Sequence, residues 1–98
     1  MINYRVKPNG DILGEGELDP SDVVDLVINY TQYYKSDAIT TITVTGTNIT
    51  IDSSSETDNV VTIFVSSALV DTIAEVKIKA ESATRTLERT LFIRVEQK

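Results

Sequence analysis

The sequence predicts an all-β fold: an immunoglobulin-like antiparallel β-sandwich, with one short helical turn near residues 31–37 and an N-terminal arm or hairpin. Three observations carry this. Threonine, valine and isoleucine number 13, 11 and 11 of the 98 residues, and β-branched side chains favour pleated, half-buried surfaces over helix. Apolar and polar residues alternate at period two through successive short runs, as strands with one buried face require. Polar turn signals separate these runs, and short strands at such spacing in a chain of this length fit a sandwich.

The elements follow in order. Residues 1–19 form a first segment and residues 20–98 the sandwich domain. In the first segment Ile2, Tyr4 and Val6 alternate, and Pro8-Asn9-Gly10 turns the chain. Gly14, Gly16 and Pro20 loosen the stretch that follows. Two arrangements suit it: an extra edge hairpin, or an extended arm that adds a strand to a neighbouring subunit. Val24, Leu26, Ile28 and Tyr30 then share one face of a strand. Thr31 to Asp37 has no alternating face and reads as a helical turn or compact loop. Tyr30, Tyr33 and Tyr34 stand at i, i+3 and i+4, so they share a face. They serve either as a plug at the end of the sandwich, with hydroxyls at its rim, or as an exposed aromatic patch for a partner or a sugar.

Ile42 and Val44 begin the second half. Thr45-Gly46-Thr47-Asn48 is a tight-turn signal, with Gly46 free to take positive φ. Ile49 and Ile51 alternate after it, and Asp52 to Asn59 reads as a polar loop. Val61, Ile63 and Val65 form one further face, and Ala74, Val76, Ile78 and Ala80 the next. Glu81-Ser82-Ala83-Thr84 joins that strand to the last, where Leu87, Leu91, Ile93 and Val95 face inward. Arg89 interrupts this last apolar face. A buried, unpaired guanidinium is too costly, so a carboxylate or carbonyl partner is expected for it.

Composition narrows function. The chain has no cysteine and no histidine, which removes thiol nucleophiles, zinc clusters and imidazole acid–base work. Its formal charge of −6 argues against a phosphate-backbone partner, so no nucleic acid is expected. No window reaches the apolar length of a membrane span, and the first residues lack a signal-peptide profile. A product made in the cytoplasm, without membrane contact, is the expectation. Phosphate-loop, GxSxG, HExxH and CxxC motifs are all missing. Ser53, Ser54 and Ser55 have no histidine to activate them. Asp52, Glu56 and Asp58 offer oxygen ligands but not the EF-hand spacing, and a solvated loop explains them better. No catalytic, cofactor-binding or metal-binding residue is assigned. Acidic residues gather in 11–25 and basic ones in 76–98, either as solvated faces or as a charge dipole that orients subunits.

Two segments carry a specific resemblance. Asp25 to Ile39 is similar to a "DYxIDWSxxLxxDxI" pattern, with Asp25, Ile28, Asp37 and Ile39 matching and Asn29, Tyr30 and Thr31 near-substitutes. Thr84 to Val95 is similar to "GRTxERSFxIRV" and is the closer match. Between them, Ile49 to Asp58 resembles a Ser-rich, Thr-Asp loop. Together these resemble the small immunoglobulin-like virion proteins of tailed bacteriophages known as fibre–tail adaptors, over roughly residues 20–98. The chain departs from the pattern at Ile42, where the family has tryptophan, at Ser67-Ala68 in place of Gly-Gly, and at Thr84 in place of Gly.

The resemblance implies a non-enzymatic virion structural protein in the tail or head–tail region. It would link that machinery to fibres through protein–protein contacts, in several copies around a symmetric assembly. Its partners would be other virion proteins: tail, connector or fibre subunits. Tyr30, Tyr33, Tyr34, Arg85 and Arg89 are the expected interface residues. Two alternatives stand beside this reading: a carbohydrate-binding module for host adhesion, and a capsid decoration protein.

Overall fold

A computed structural model of the chain describes residues 2–14 and 16–97. Nine strands and one helical turn follow in sequence: β1 (Ile2–Val6), β2 (Ile12–Leu13), β3 (Glu17–Leu18), β4 (Val24–Asn29), α1 (Thr31–Tyr34), β5 (Ile39–Thr47), β6 (Thr50–Thr57), β7 (Val60–Ser66), β8 (Thr72–Ser82) and β9 (Thr86–Val95). They form two sheets, ordered β2-β1-β4-β7-β6 and β3-β9-β8-β5. Strands β4 to β9 thus pair as B-E-D and G-F-C do in immunoglobulin lettering.

Alternation sets which face each strand buries. Leu26 and Ile28 of β4, Val61, Ile63 and Val65 of β7, Ala74, Val76, Ile78 and Ala80 of β8, and Leu87, Leu91, Ile93 and Val95 of β9 all point between the sheets. Each fully buried Leu, Ile or Val contributes about 1.5–3 kcal/mol relative to exposure. The pairing is antiparallel through the centre, with Val24↔Val65 and Ile28↔Val61 joining β4 to β7 and Ala74↔Ile93 and Ala80↔Leu87 joining β8 to β9.

Two pairs depart from the antiparallel expectation. β1 runs parallel to β4 and β3 runs parallel to β9. Parallel neighbours need a long connection, and the N-terminal segment supplies it by folding into the β1–β2 hairpin before crossing to the other sheet. Tyr4, Val6 and Leu18 lie in the same core as the rest. Residues 2–14 therefore stand as an edge hairpin built into the sandwich.

Other differences lie at the β5–β6–β7 edge. The stretch expected as a polar loop is strand for most of its length: β6 carries Asp52 to Thr57 and pairs with β7 from Thr50↔Ser66 to Thr57↔Val60, with a bulge between Ile51 and Ser53. An edge strand is wetted on much of both faces, so serines serve it and leave no alternation to read. Only Asp58 and Asn59 turn the chain, with φ of 50° and 66°, the doubly positive geometry of a tight hairpin. The positive φ expected at Gly46 falls instead on Asn48, at 62°. Gly46 is a strand residue whose role is close approach, since a Cβ there would sit 2.8 Å from the Ile49 carbonyl oxygen.

Candidate functional site

The molecule is elongated, 41 × 22 × 19 Å, and its two ends differ in chemistry. One end gathers α1, the β1–β2 turn, the β6–β7 turn and the β8–β9 turn. The other gathers the β3–β4 loop, the β5–β6 turn, the β7–β8 loop and the C-terminal residues after β9.

At the first end, Asn29 starts the helical turn. Its Oδ1 accepts from Thr31 N at 2.9 Å and Thr31 Oγ1 at 2.6 Å, a side-chain mimic of a turn. Lys35, at φ 51°, stops it. The short helix places Tyr30 and Tyr34 inward, both fully buried, with ring centroids 5.9 Å apart. Tyr34 donates from its hydroxyl to the Ala80 carbonyl at 2.6 Å. Burial raises the Tyr34 hydroxyl above its ordinary range, and Tyr33 adds to that while Arg85 opposes it. Burial, then Tyr34, pushes the Tyr30 hydroxyl up further.

Tyr33 stands outside these two, half-buried, with its ring edge-on to Tyr34 at 4.9 Å. The Arg85 guanidinium lies 4.8 Å over the Tyr33 ring and 5.7 Å from that of Tyr34, within cation–π range. Asp37 completes the group. Its Oδ2 accepts from Ser82 Oγ at 3.0 Å and from Thr84 Oγ1, and lies 3.9 Å from Arg85 Nε. The Thr84 and Ser82 hydroxyls, with Arg85 a smaller influence, hold the Asp37 carboxyl below its usual range.

Asn59 ties this end together and was not singled out by sequence reasoning. It is buried. Its Oδ1 accepts from Ile39 N at 2.9 Å, its Nδ2 donates to the Asp37 carbonyl at 2.7 Å, and its own carbonyl accepts from Tyr30 N at 2.9 Å. The Asp58-Asn59 pair between alternating runs was the available signal. Glu56 accepts from Asn59 N at 2.9 Å, so it caps the turn.

The five residues expected at an interface thus divide. Tyr30 and Tyr34 plug the sandwich end and are fully buried in the chain. Tyr33 and Arg85 remain at the surface beside Asp37. Arg89 is half-buried and donates from Nε to the Gly10 carbonyl at 3.0 Å and from Nη1 to the Glu88 carbonyl at 2.8 Å. It has the carbonyl partner expected of it, and its role is to dock the β1–β2 turn.

The second end is aliphatic. Val23, Leu69 and Val70 are exposed there, Val23 at 71%. Leu69 N donates to the Asn48 carbonyl at 2.9 Å, Asp71 N to the Val95 carbonyl at 3.0 Å and Glu96 N to the Leu18 carbonyl at 2.9 Å, which fixes the loops against one another. Asp22 and Asp71 lie on the same two loops as these side chains, and Glu96 follows β9. Of the bases in 76–98, Lys77, Lys79 and Arg94 lie 4.0, 3.9 and 3.7 Å from Glu88, Glu81 and Glu96. Phe64 and Phe92, both exposed, sit on different sheets and share no platform for a sugar.

In class the chain is a small all-β sandwich module whose two ends differ in surface chemistry. Residues 18–94 match a family model described as podophage GP4 fiber-tail adaptor protein gp77. The chain belongs to this family of bacteriophage fibre–tail adaptors, structural components of the virion. No curated protein and no solved structure matches the chain.

Proposed function

We propose that the protein is a non-enzymatic adaptor that bridges two other virion proteins, one at each end of the sandwich. It is made in the host cytoplasm and carried into the tail or head–tail region in several copies. The observation that supports this is the difference between the ends. One presents Tyr33 and Arg85 on a hydrogen-bonded polar frame. The other presents Val23, Leu69 and Val70, exposed on two loops that also carry Asp22 and Asp71. An aromatic–arginine pair is the composition of an interface hot spot, and exposed aliphatic side chains gathered at one end mark a second contact. A bridge needs two such surfaces, and a rigid body between them fixes their separation.

The test is particle assembly. Tyr33→Ala with Arg85→Glu should leave a folded protein and yield particles lacking fibres or lacking the adaptor. Leu69→Asp should break the opposite junction. Normal fibre loading and adaptor content in both variants would overturn the two-ended reading.

A further inference from the structure

Among the described residues the sandwich has four open strand edges, and three are guarded. β2 and β3 are two residues long each. β6 carries Asp52 and Glu56 and is bulged between Ile51 and Ser53. Shortness, charge and bulging are the devices by which proteins block edge pairing. β5 lacks most of this protection. It runs nine residues, Ile39–Thr47, with no charge and no proline. One side pairs with β8 in unbroken register from Thr41↔Glu81 to Thr47↔Glu75, the single irregularity lying between Ile39 and Thr41. Its other side ends the sheet.

We infer that the β5 edge is a self-complementary interface at which a second copy of this chain pairs antiparallel, about a two-fold axis at Thr43. The register follows from the pleat. In an antiparallel pair, residues directly opposite point to the same face, so a two-fold must centre on one residue. Ile42 and Val44 are the inward, half-buried aliphatics of β5. Centring on Thr43 sets Ile42 against Val44 of the other copy, twice, and Thr41 against Thr45. Centring on Ile42 would set Val44 against Thr40, and centring on Val44 would set Ile42 against Gly46, so either choice loses an aliphatic match. The edge also carries no charge, so the −6 of each chain places no like charges directly opposite one another. Such a contact is isologous, as a two-fold requires, and because the paired strands run antiparallel it sets the two sandwiches end for end, with a Tyr33–Arg85 surface of one copy beside a Val23–Leu69 surface of the other. It does not depend on the adaptor reading.

The full chain tests this directly. Sedimentation should show a concentration-dependent monomer–dimer equilibrium. Thr43→Lys sets two ammonium groups opposite each other on an exposed face and should return the protein to monomer with an unchanged circular dichroism spectrum. Ser55→Lys on the outer face of β6 should leave the dimer intact. The chain has no cysteine, so Thr43→Cys gives a single thiol that should crosslink into a homodimer under mild oxidation. A wild-type chain that stays monomeric up to about 1 mM, or a dimer that persists in Thr43→Lys, would overturn the inference.

Discussion

Arg89 donates from Nε to the carbonyl of Gly10 across 79 residues of sequence, at 3.0 Å. This bond joins the tip of the first hairpin to the last strand. Gly10 takes φ of +94°, and a Cβ there would lie 3.1 Å from Arg89 Nη2, so the glycine is what lets the turn approach the guanidinium. Arg89→Met keeps the stem and removes the donor. It should cost about 1.5–3 kcal/mol, the worth of a hydrogen bond from a charged group. Urea unfolding measures the loss, and amide exchange should quicken first in residues 2–13.

The turn at Asn59 holds three segments through its side chain and backbone. Asn59→Ala removes the partners of Ile39 N and the Asp37 carbonyl and leaves a Cβ residue at φ 66°. A loss of about 1–3 kcal/mol is expected from the unpaired groups. Asn59→Gly relieves the backbone conformation but not the lost bonds. It should recover only part of the stability in thermal unfolding, and full recovery would place the whole effect in the backbone.

The two buried tyrosines should respond differently to loss of the hydroxyl. Tyr34 Oη donates to the Ala80 carbonyl, whereas Tyr30 Oη has no hydrogen-bond partner among the described residues. Tyr34→Phe should therefore cost about 1 kcal/mol, and Tyr30→Phe should be neutral or stabilising. Denaturant midpoints of the two variants decide it.

Stability should fall at both extremes of pH. The Asp37 carboxyl is held below its ordinary value of 3.8 in the folded chain. Its contribution is complete above the unfolded carboxylate pKa and is lost as pH falls through the lower folded value. Asp37→Asn should thus flatten the acid limb of a melting-temperature profile below about pH 4. The buried Tyr30 and Tyr34 hydroxyls are raised above 10.0, so the unfolded chain ionises first. Stability should decline as pH rises past about 10, less steeply in a Tyr30→Phe variant.

What the sequence revealed follows physical lines. Strands with one dry face were legible: Val61-Ile63-Val65 and Ala74 to Ala80 alternate because one side meets the other sheet. The helical turn was legible as a gap in that alternation at Thr31 to Tyr34. Ser53 to Ser55 were misread because an edge strand is wetted on much of both faces and so need not alternate. The N-terminal hairpin stayed open as a choice because its partners, β4 and the Arg89 guanidinium, lie far along the chain. Arg89 itself was informative: a charge on an apolar face demanded a carbonyl or carboxylate, and Gly10 supplies the carbonyl. The exposed Val23, Leu69 and Val70 were out of reach, since two loops distant in sequence carry them to the same end.

The central claim is that this chain joins tail to fibre. A cryo-electron reconstruction of the intact virion at a resolution that traces strands tests it most directly. The claim predicts sandwich density at the tail–fibre junction, with the Tyr33–Arg85 end on one neighbour and the Val23–Leu69 end on another. Density spread over the capsid surface, in copy numbers matching capsid subunits, would contradict it and make the protein a decoration.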